Sequence, residues 1–432
     1  MAQHHVSPAT VARAVARLSA EGVLATETGR GTFVRRREMR DAPIDTAWQT
    51  VALGEPRADA SAILTLLAPP GPDTIVLSGG YPAEELQPLA ALTSAAARAA
   101  RRPGAWSLPP AYGLPELREL LAAHASADPG QVLVVPGGQA GVSAALRGLA
   151  APGSAVLVEV PTYLGALAAM RGAGLRAVPV PSDEKGLRSD LLPAVFESTG
   201  SRLLYLQPTY ANPTGAVLDR GRRADVLTAA RRAGAFIIED DWARDLALDG
   251  PPPPPLLADD EHGHVVYLSS LSKSAAPSLR IGALIARGPA AERLAAVRLL
   301  DDFGVARPLQ ETAVELLSSA AWPRHLARLR AVLRRRRDHL VQELRKQLPQ
   351  LQPVIPPNGG LHLWQRLPEG MDDVDLVARA RSEGLLIGAG RPYFVSEPPG
   401  SFVRLTYAQS AEDKLTAGVT VFADLISRYR GV

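Results

Sequence analysis

A lysine stands between two serines in the segment SSLSKSAAPSLRIG, residues 269–282, of a chain that seldom uses lysine. Of 47 lysine and arginine residues only four are lysines, at positions 185, 273, 346 and 414. An arginine guanidinium stays protonated, whereas a desolvated lysine amine can lose its proton and condense with an aldehyde. Lys273 is therefore a candidate nucleophilic amine, and the competing interpretation is an ordinary solvated lysine.

Polar residues that would suit one aldehyde cofactor follow several predicted strands. Asn212 comes after LLYLQP in an NPTG motif, Asp240 lies at the end of AFIIEDD, and Lys273 follows VVYLSS. In open parallel sheets, ligands bind at the carboxyl ends of strands. A buried carboxylate such as Asp240 keeps a pyridine nitrogen protonated, and Tyr163, after VLVEV, offers an aromatic face. These positions would suit an aldehyde cofactor that contains a pyridine ring.

A second group of residues has the chemistry of a phosphate cradle. Gly138 and Gln139 open a predicted helix after VLVVPG, Ser270 and Ser272 flank the lysine, and Arg280 follows in SLRIG. Backbone N–H groups at a helix start, hydroxyls and a guanidinium fork are the usual donors to phosphate. Each signal has an ordinary structural explanation by itself, such as a turn or a helix cap. Together, in this order, they indicate a cofactor site.

Residues from about 75 to 432 resemble the fold-type-I, pyridoxal-phosphate-dependent aminotransferases of class I/II. The resemblance lies in the motifs YGLPELRELL, GGQAGVSAAL, PTY, NPTG, EDD and SLSKSAAPSLRIG. It implies that Lys273 binds the cofactor covalently, Asp240 partners the pyridine nitrogen, Asn212 donates to the ring hydroxyl and Tyr163 stacks on the ring.

The resemblance also implies roles for residues at the two ends of the site. The phosphate would be held by Gly138, Gln139, Ser270, Ser272 and Arg280. Arg404 in FVRLTYA would grip the α-carboxylate of a substrate, and Gly79 and Gly80 in LSGGYP would form a loop that closes over it.

Two departures from the family pattern weaken the case for efficient catalysis. Trp242 and Ala243 occupy positions where the family usually has a tyrosine that donates to the ring hydroxyl, and Leu108 stands where it has a tyrosine that reaches the partner subunit's phosphate. Asn212 favours catalysis, because many regulators related to these enzymes carry an aromatic residue there.

The N-terminal stretch VSPATVARAVARLSAEGVLATETGRGTFVRRR predicts a helix followed by a short hairpin. Ser7 is a helix N-cap with Pro8 at the first helical position, and Val11, Val15 and Leu18 repeat at helical spacing. The stretch resembles the second half of the GntR-type DNA-binding domain, a winged helix-turn-helix. That family's first helix and most of its second are missing, which predicts either a truncated or misassigned start or a decayed remnant.

Positive charge is concentrated in this stretch. Residues 1–40 contain seven arginines and three glutamates, whereas the whole chain has a net charge of only +3. The DNA-binding candidates are Ser7, Thr10, Arg13 and Arg30. With both resemblances joined, the chain is similar to MocR-type regulators, in which a GntR-type domain precedes an aminotransferase-like domain.

Alternation of strand-like and helical patterns from about 73 to 290 predicts a mostly parallel α/β sheet with helices on both faces. The expected fold is that of fold-type-I aminotransferases, preceded by a truncated winged helix-turn-helix. The predicted domains are 1–37 (helix and wing), 38–72 (linker and N-terminal arm), 73–290 (large cofactor domain) and 291–432 (small α/β domain). We also expect a helix at 59–67 and a proline-rich surface loop at 250–260.

Composition excludes several other classes of protein. The chain has no cysteine, so it has neither disulfides, nor thiolate metal sites, nor a cysteine nucleophile. Its eight histidines lack the spacing of metal ligands, and we expect no structural metal. No apolar run approaches the ~20 residues needed to cross a bilayer, and the N-terminus lacks the features of a signal peptide. We expect a cytoplasmic protein that does not contact membranes.

Two functions are compatible with the sequence. In the first, a MocR-type regulator binds pyridoxal phosphate and an amino acid or amine, which controls its binding to DNA. In the second, an aminotransferase exchanges an amino group between an amino acid and a 2-oxo acid in a ping-pong cycle, and the N-terminal segment is vestigial. The family resemblance implies a homodimer with both sites at the subunit interface in either case.

Overall fold

The computed structural model describes residues 6–34, 45–54, 63–64, 70–71, 73–351 and 355–429. The chain divides into two compact units, Met1–Pro56 and Arg57–Val432. Most of the helix expected at 59–67, and the arginines at 35–37 and 40, lie outside the described residues. The domain boundaries expected at 37, 72 and 290 stay predictions.

The first unit contains a capped helix and a hairpin. Its elements are α1 (Pro8–Ala20), β1 (Leu24–Glu27), β2 (Gly31–Val34) and α2 (Ala47–Leu53). The Ser7 hydroxyl accepts a 3.2 Å hydrogen bond from the Thr10 backbone N–H, which satisfies a free donor at the helix start. β1 and β2 are antiparallel, with Leu24 opposite Val34. The predicted helix and hairpin are confirmed.

The second unit is built on an eight-stranded sheet. Its strands are β4 (Val132–Val135), β5 (Ala155–Val160), β6 (Arg176–Asp183), β7 (Gly186–Leu187), β8 (Leu203–Leu206), β9 (Phe236–Asp241), β10 (Val265–Ser270) and β11 (Gly282–Ile285). The spatial order is β4-β11-β10-β9-β8-β5-β6-β7. Strands β10, β9, β8, β5 and β6 are parallel to their neighbours in this series, while β11 and β7 are antiparallel to theirs. The mostly parallel sheet is confirmed, and the predicted strand RIGALIA, which contains β11, is antiparallel to both of its neighbours.

Helices cover both faces of this sheet and form much of the C-terminal part. They are α3 (Leu89–Ala99), α4 (Pro115–Ala125), α5 (Gly138–Leu149), α6 (Leu164–Gly172), α7 (Leu192–Thr199), α8 (Arg220–Ala233), α9 (Leu256–Asp259), α10 (Pro289–Asp302), α11 (Arg307–Leu317), α12 (Ala321–Gln347), α13 (Asp373–Ser382) and α14 (Glu412–Tyr429).

A smaller sheet lies in the C-terminal part. Its strands β12 (His362–Arg366), β15 (Phe402–Thr406) and β14 (Gly388–Ala389) are antiparallel, in the order β12-β15-β14. The short strands β3 (Ile75–Val76) and β13 (Leu385–Leu386) pair in parallel.

The central strands of the large sheet are buried on both faces because most of their residues are apolar. On β8, Leu204 and Leu206 pack into one core cluster, whereas Leu203 and Tyr205 pack into the cluster on the opposite face. Neighbouring residues of a strand point to opposite faces, so a continuous apolar run supplies two cores. This rigid sheet holds the polar residues that follow the strand ends.

The proline-rich segment 250–260 differs from the predicted surface loop. Its second half forms α9, in which Leu256 and Leu257 are buried. The backbone N–H groups of both residues donate to the buried carboxylate of Glu239, at 2.7 and 3.0 Å. The prediction was wrong for this half because a short helix follows the prolines. Its first N–H groups are satisfied by Glu239 on β9, a residue distant in the sequence.

Candidate active site

Lys273 lies in the connection from β10 to β11, where the chain reverses direction. Its Nζ donates to the carbonyl oxygen of Gly80 at 2.6 Å and lies 3.4 Å from the ring centroid of Tyr81. Burial lowers the lysine pKa to about 7, helped by the positive charge of Arg404 and partly opposed by Asp240. A large share of the amine is therefore unprotonated near neutral pH, as a nucleophile requires.

Asp240 is a buried carboxylate on β9 with two donors on the same oxygen. The Tyr205 hydroxyl and the Gln207 side-chain N–H reach Oδ2 at 2.6 and 2.8 Å. Burial raises the Asp240 pKa to about 6, and these two donors oppose the rise by stabilising the charged form. Nearby Glu159, also buried, has its pKa raised to about 8 by burial. At neutral pH, Asp240 is the carboxylate of this pair that carries charge.

Asn212 lies beside Arg404. The Asn212 Oδ1 accepts from Arg404 Nη1 at 3.1 Å, and its backbone N–H donates to the Gln207 Oε1 at 2.9 Å. With Oδ1 used as an acceptor, the side-chain NH₂ group can donate to a bound ligand. The donor role that the family resemblance implies for Asn212 stays a prediction.

The Tyr163 ring packs against Gly165, and a larger residue at position 165 would collide with it. Tyr163 precedes α6, and a Cβ atom on Gly165 would lie 2.3 Å from the tyrosine Cζ and 2.5 Å from Gln139 Oε1. Gln139 Nε2 donates to the Gly165 carbonyl at 2.9 Å. Burial raises the Tyr163 pKa, with Asp240 adding to the rise, so the ring stays neutral. An uncharged aromatic face is thus held at the start of α6.

The predicted phosphate donors meet at the start of α5. Arg280 adopts a left-handed backbone with φ of 51° and donates from Nη2 to the Pro136 carbonyl at 2.8 Å. Its Nη1 lies 3.5 Å from the Ser272 hydroxyl, and the Ser272 N–H donates to Ser270 Oγ at 3.2 Å. The first N–H groups of α5, which begins at Gly138, have no partner within the helix, and such groups suit an anion.

A tight turn lets the arginine approach this helix start. Gly137 has φ of 85°, and a Cβ atom there would lie 2.9 Å from the Arg280 guanidinium carbon. The glycine therefore provides both the left-handed conformation and the space for the cation.

Arg404 lies at the opposite end of the site, on β15. It donates from Nη2 to the Ser78 carbonyl at 2.5 Å, and its Nη1 lies 3.5 Å from His362 Nε2. A Cβ atom on the adjacent Gly79 would overlap the side chain of Gln409 at 1.6 Å, so this loop position requires glycine. The sequence-predicted loop and arginine are brought together here.

The residues present fit pyridoxal phosphate. The buried Arg404 Nε has no hydrogen-bond partner within the described chain, so a free donor remains at its end of the site, and the start of α5 lies at the other end. An amine, a charged carboxylate, an amide donor and an aromatic face lie between them. Phosphate, ring nitrogen, ring hydroxyl and ring face each have a complementary group.

The two departures noted in the sequence have visible consequences. Trp242 donates from Nε1 to the Tyr210 carbonyl at 3.1 Å and stacks on His362 with ring centroids 5.8 Å apart. Ala243 is fully buried and offers no hydroxyl. Leu108 is 84% exposed. None of these three residues supplies a phenol hydroxyl to the site of its own chain.

Sequence reasoning missed four residues of this site: Tyr81, Tyr205, Gln207 and His362. His362 is buried beside Arg404 and Lys273, and burial followed by these two charges pushes its pKa well below the usual range, so the imidazole is neutral. Tyr205 and Gln207 are polar residues spaced by two at the end of an apolar strand, a signal that would have pointed to Asp240. Tyr81 directly follows the predicted glycine loop.

Comparisons with known proteins agree with this geometry. Residues 72–422 match the family model described as aminotransferase class I and II. The chain is 28% identical to an uncharacterized HTH-type transcriptional regulator, YdfD of Bacillus subtilis (strain 168), over 96% of this chain and 87% of that protein. It is 32% identical to the 2-aminoadipate transaminase of Thermus thermophilus, over 85% of this chain and 94% of that protein.

A solved structure shows the same architecture. LysN, the alpha-aminoadipate aminotransferase of Thermus thermophilus, complexed with N-(5'-phosphopyridoxyl)-L-leucine, superposes with a TM-score of 0.82 at 30% identity. The match covers 87% of this chain and 96% of that one. The α/β fold of the second unit is therefore that of the fold-type-I enzymes.

Proposed function

Since this chain belongs to the class I and II aminotransferase family, we propose that it is a MocR-type transcriptional regulator that senses an amino acid or amine. The observation that carries the proposal is that the HTH-type regulator YdfD aligns over 96% of the chain. An alignment of this extent includes part of the N-terminal unit, which contains a capped helix and a hairpin.

The cofactor is pyridoxal 5'-phosphate. When bound, it supplies an aldehyde for amine capture and a ring that withdraws electrons. Lys273 provides the amine that holds it, and Asp240 provides the charge for its ring nitrogen. Asn212 donates to the ring hydroxyl, and Tyr163 covers the ring face.

Residues at the two ends of the site orient the cofactor and the ligand. Gly138, Gln139, Ser270, Ser272 and Arg280 hold the phosphate. Arg404 binds the carboxylate of an amino acid, because a guanidinium forms paired hydrogen bonds with a carboxylate. Gly79 and Gly80 place backbone rather than side chain beside the ligand, which leaves room for it.

The N-terminal unit is the proposed DNA-binding segment. Thr10 and Arg13 are exposed on α1, and Arg30 is exposed in the hairpin, where it pairs with Glu27 at 2.9 Å. Ser7 caps the helix start, where its N–H groups suit a phosphate. Neutralisation of DNA phosphates by arginine would supply affinity that falls with salt.

A homodimer is the proposed assembly. Among the described residues of the second unit, four large apolar side chains are between 78% and 88% exposed: Trp106, Leu108, Leu300 and Phe303. The two segments that carry them adjoin, since a Cβ atom on Gly304 would lie 3.3 Å from Pro109. Apolar surface of this kind marks an interaction site, and a second copy of the chain would cover it. We propose a cytoplasmic location, which agrees with the absence of cysteine from the sequence.

Aminotransferase activity is the second candidate function. Its support is the complete set of Lys273, Asp240, Asn212 and Arg404, together with a lysine pKa near 7 that suits a general base at neutral pH. Ala243 and Trp242 argue against efficient turnover, since no phenol is supplied there.

No helix within the described ranges is long and apolar enough to span a membrane.

Two measurements on the purified protein separate these functions. Fluorescence anisotropy would measure its binding to the DNA that precedes its own coding sequence, with and without pyridoxal phosphate and a panel of amino acids. Product formation with 2-oxoglutarate would count turnovers per subunit. A regulator binds specific DNA in a ligand-dependent manner with one turnover or fewer. Many turnovers without specific DNA binding would instead identify an aminotransferase.

A further inference from the structure

Gln207 connects two residues of the cofactor site through one side chain. It follows β8 and is 2% exposed. Its Nε2 donates to Asp240 Oδ2 at 2.8 Å, and its Oε1 accepts from the Asn212 backbone N–H at 2.9 Å. Its own backbone N–H donates to the buried Glu159 Oε1 at 2.7 Å. A single amide thus bridges the strand that carries Asp240 and the loop that carries Asn212.

The orientation of this amide is determined by its partners. Asp240, when charged, only accepts hydrogen bonds, and the backbone N–H of Asn212 only donates them. A flipped amide would point its oxygen at the carboxylate and its NH₂ group at another N–H, and both hydrogen bonds would be lost. The arrangement is therefore satisfied in one orientation only, as expected for a side chain with a positioning role.

The bond to Asp240 also leaves that carboxylate free to act. Gln207 and the Tyr205 hydroxyl both reach Oδ2, so Oδ1 is available to a ligand. A carboxylate oxygen held by two donors keeps its charge in a buried environment that would otherwise favour the neutral acid. The Tyr205 hydroxyl donates to Asp240, whereas the Gln207 side chain ties Asp240 to Asn212.

We propose that Gln207 is a positioning residue that sets the distance and orientation between Asp240 and Asn212, so that one pyridoxal ring binds the carboxylate at its nitrogen and the amide at its hydroxyl. The inference rests on the proposed cofactor site. Gln207 acts through its two neighbours, and it therefore affects how the ring is held and charged.

The first test replaces Gln207 with leucine, which has a similar size and no amide. Both side-chain hydrogen bonds are lost, and one of them goes to a charged group. The affinity for pyridoxal phosphate should fall about tenfold to a hundredfold. The absorbance spectrum of the lysine-bound cofactor at fixed pH should also change, because Asp240 no longer holds its charge as firmly. Both are measured by titrating the full chain with pyridoxal phosphate.

Gln310 is a matched control. It is fully buried in the same unit, accepts from the Leu114 N–H at 2.8 Å and donates to the Val305 carbonyl at 2.7 Å. Gln310→Leu also removes one donated and one accepted hydrogen bond, with the donated bond going to a carbonyl instead of a carboxylate, away from the residues assigned to the cofactor. It should lower the melting temperature as Gln207→Leu does, and it should leave the affinity and the spectrum unchanged.

A second variant separates the two contacts of Gln207. Gln207→Glu keeps an oxygen that accepts from Asn212 and replaces the donor to Asp240 with a second carboxylate oxygen. The spectrum should change as in Gln207→Leu at pH values where the new carboxyl group is charged, because the charged group has no donor for Asp240 and repels it. Where that group is protonated its O–H restores a donor, so the spectrum is recorded across a pH series. This variant keeps the size and one hydrogen bond, so it carries the test if the leucine variant does not fold.

The outcomes distinguish this inference from the cofactor proposal. If folded Gln207→Leu and Gln207→Glu bind pyridoxal phosphate with unchanged affinity and spectrum, Gln207 has no positioning role. If the unsubstituted protein develops no absorbance that depends on Lys273, the cofactor site itself is wrong. A selective effect of the Gln207 variants beside a silent Gln310→Leu would support the inference.

Discussion

At the scale of the residue, the environment of Lys273 sets its chemistry. Burial and the charge of Arg404 lower its pKa to about 7, against 10.5 for an ordinary lysine. The neutral amine is the nucleophile, so covalent capture of pyridoxal phosphate should speed up as pH rises through about 7 and then level off. Stopped-flow absorbance across a pH series measures this rate. A rate that keeps rising toward pH 10.5 would contradict the lowered pKa.

A substitution tests whether this lysine alone holds the cofactor. Lys273→Ala should abolish the visible absorbance of bound pyridoxal phosphate and its retention after borohydride reduction, because the site as described contains no second lysine. Lys185→Ala is the control, since Lys185 is exposed on the surface of the same unit. Equal loss in both variants, or a band that survives in Lys273→Ala, would show that the assignment is wrong.

At the scale of the element, the start of α6 holds an aromatic ring against the site. Gly165→Ala would place a Cβ atom 2.3 Å from Tyr163, and Gly172 at the end of the same helix has no atom within 4 Å of the corresponding position. Overpacking costs about 1–3 kcal/mol, so Gly165→Ala should weaken pyridoxal phosphate binding about tenfold in a fluorescence titration. Gly172→Ala should leave the affinity unchanged. Equal affinity of both variants for pyridoxal phosphate would show that Tyr163 does not contribute to cofactor binding.

The helix and hairpin of the first unit supply another prediction at this scale. Arg13→Ala on α1 should weaken binding to DNA of any sequence and reduce the slope of log affinity against log salt by about one, because one phosphate contact is lost. Arg428→Ala, which removes the same charge from the second unit, is the control for net charge. Anisotropy titrations at several salt concentrations measure both slopes. Identical slopes for the two variants would argue against DNA contact by α1.

At the scale of the whole molecule, the proposed homodimer would form through the exposed apolar surface around Trp106 and Phe303. Trp106→Asp combined with Phe303→Asp should convert a dimer to a monomer, because charged groups would have to be buried in an apolar interface. Val374→Asp is the control, since Val374 is an apolar residue that is 50% exposed on α13. Light scattering coupled to size exclusion gives the mass. A double variant that stays dimeric would place the interface elsewhere.

Part of this architecture follows from local sequence patterns. Apolar runs of four to six residues predict buried strands, and the alternation with helices predicts a mostly parallel sheet. Since the carboxyl ends of parallel strands meet at one edge, the grouping of Asn212, Asp240 and Lys273 was predictable from their places after three strands. The cap of Ser7 on α1 is also a local property. Each of these features is determined by residues that are close together in the chain.

The rest was decided by contacts between distant segments. Lys273 and Gly80 are 193 positions apart, and Arg404 and Asn212 are 192 apart, so no local pattern contains either pair. The bridge made by Gln207, the neutral His362 and the helix concealed in the proline-rich segment all depend on such contacts. Hydrogen bonding and burial depend on which groups are close in space. The sequence by itself determined the helices and strands, and tertiary packing determined which side chains meet.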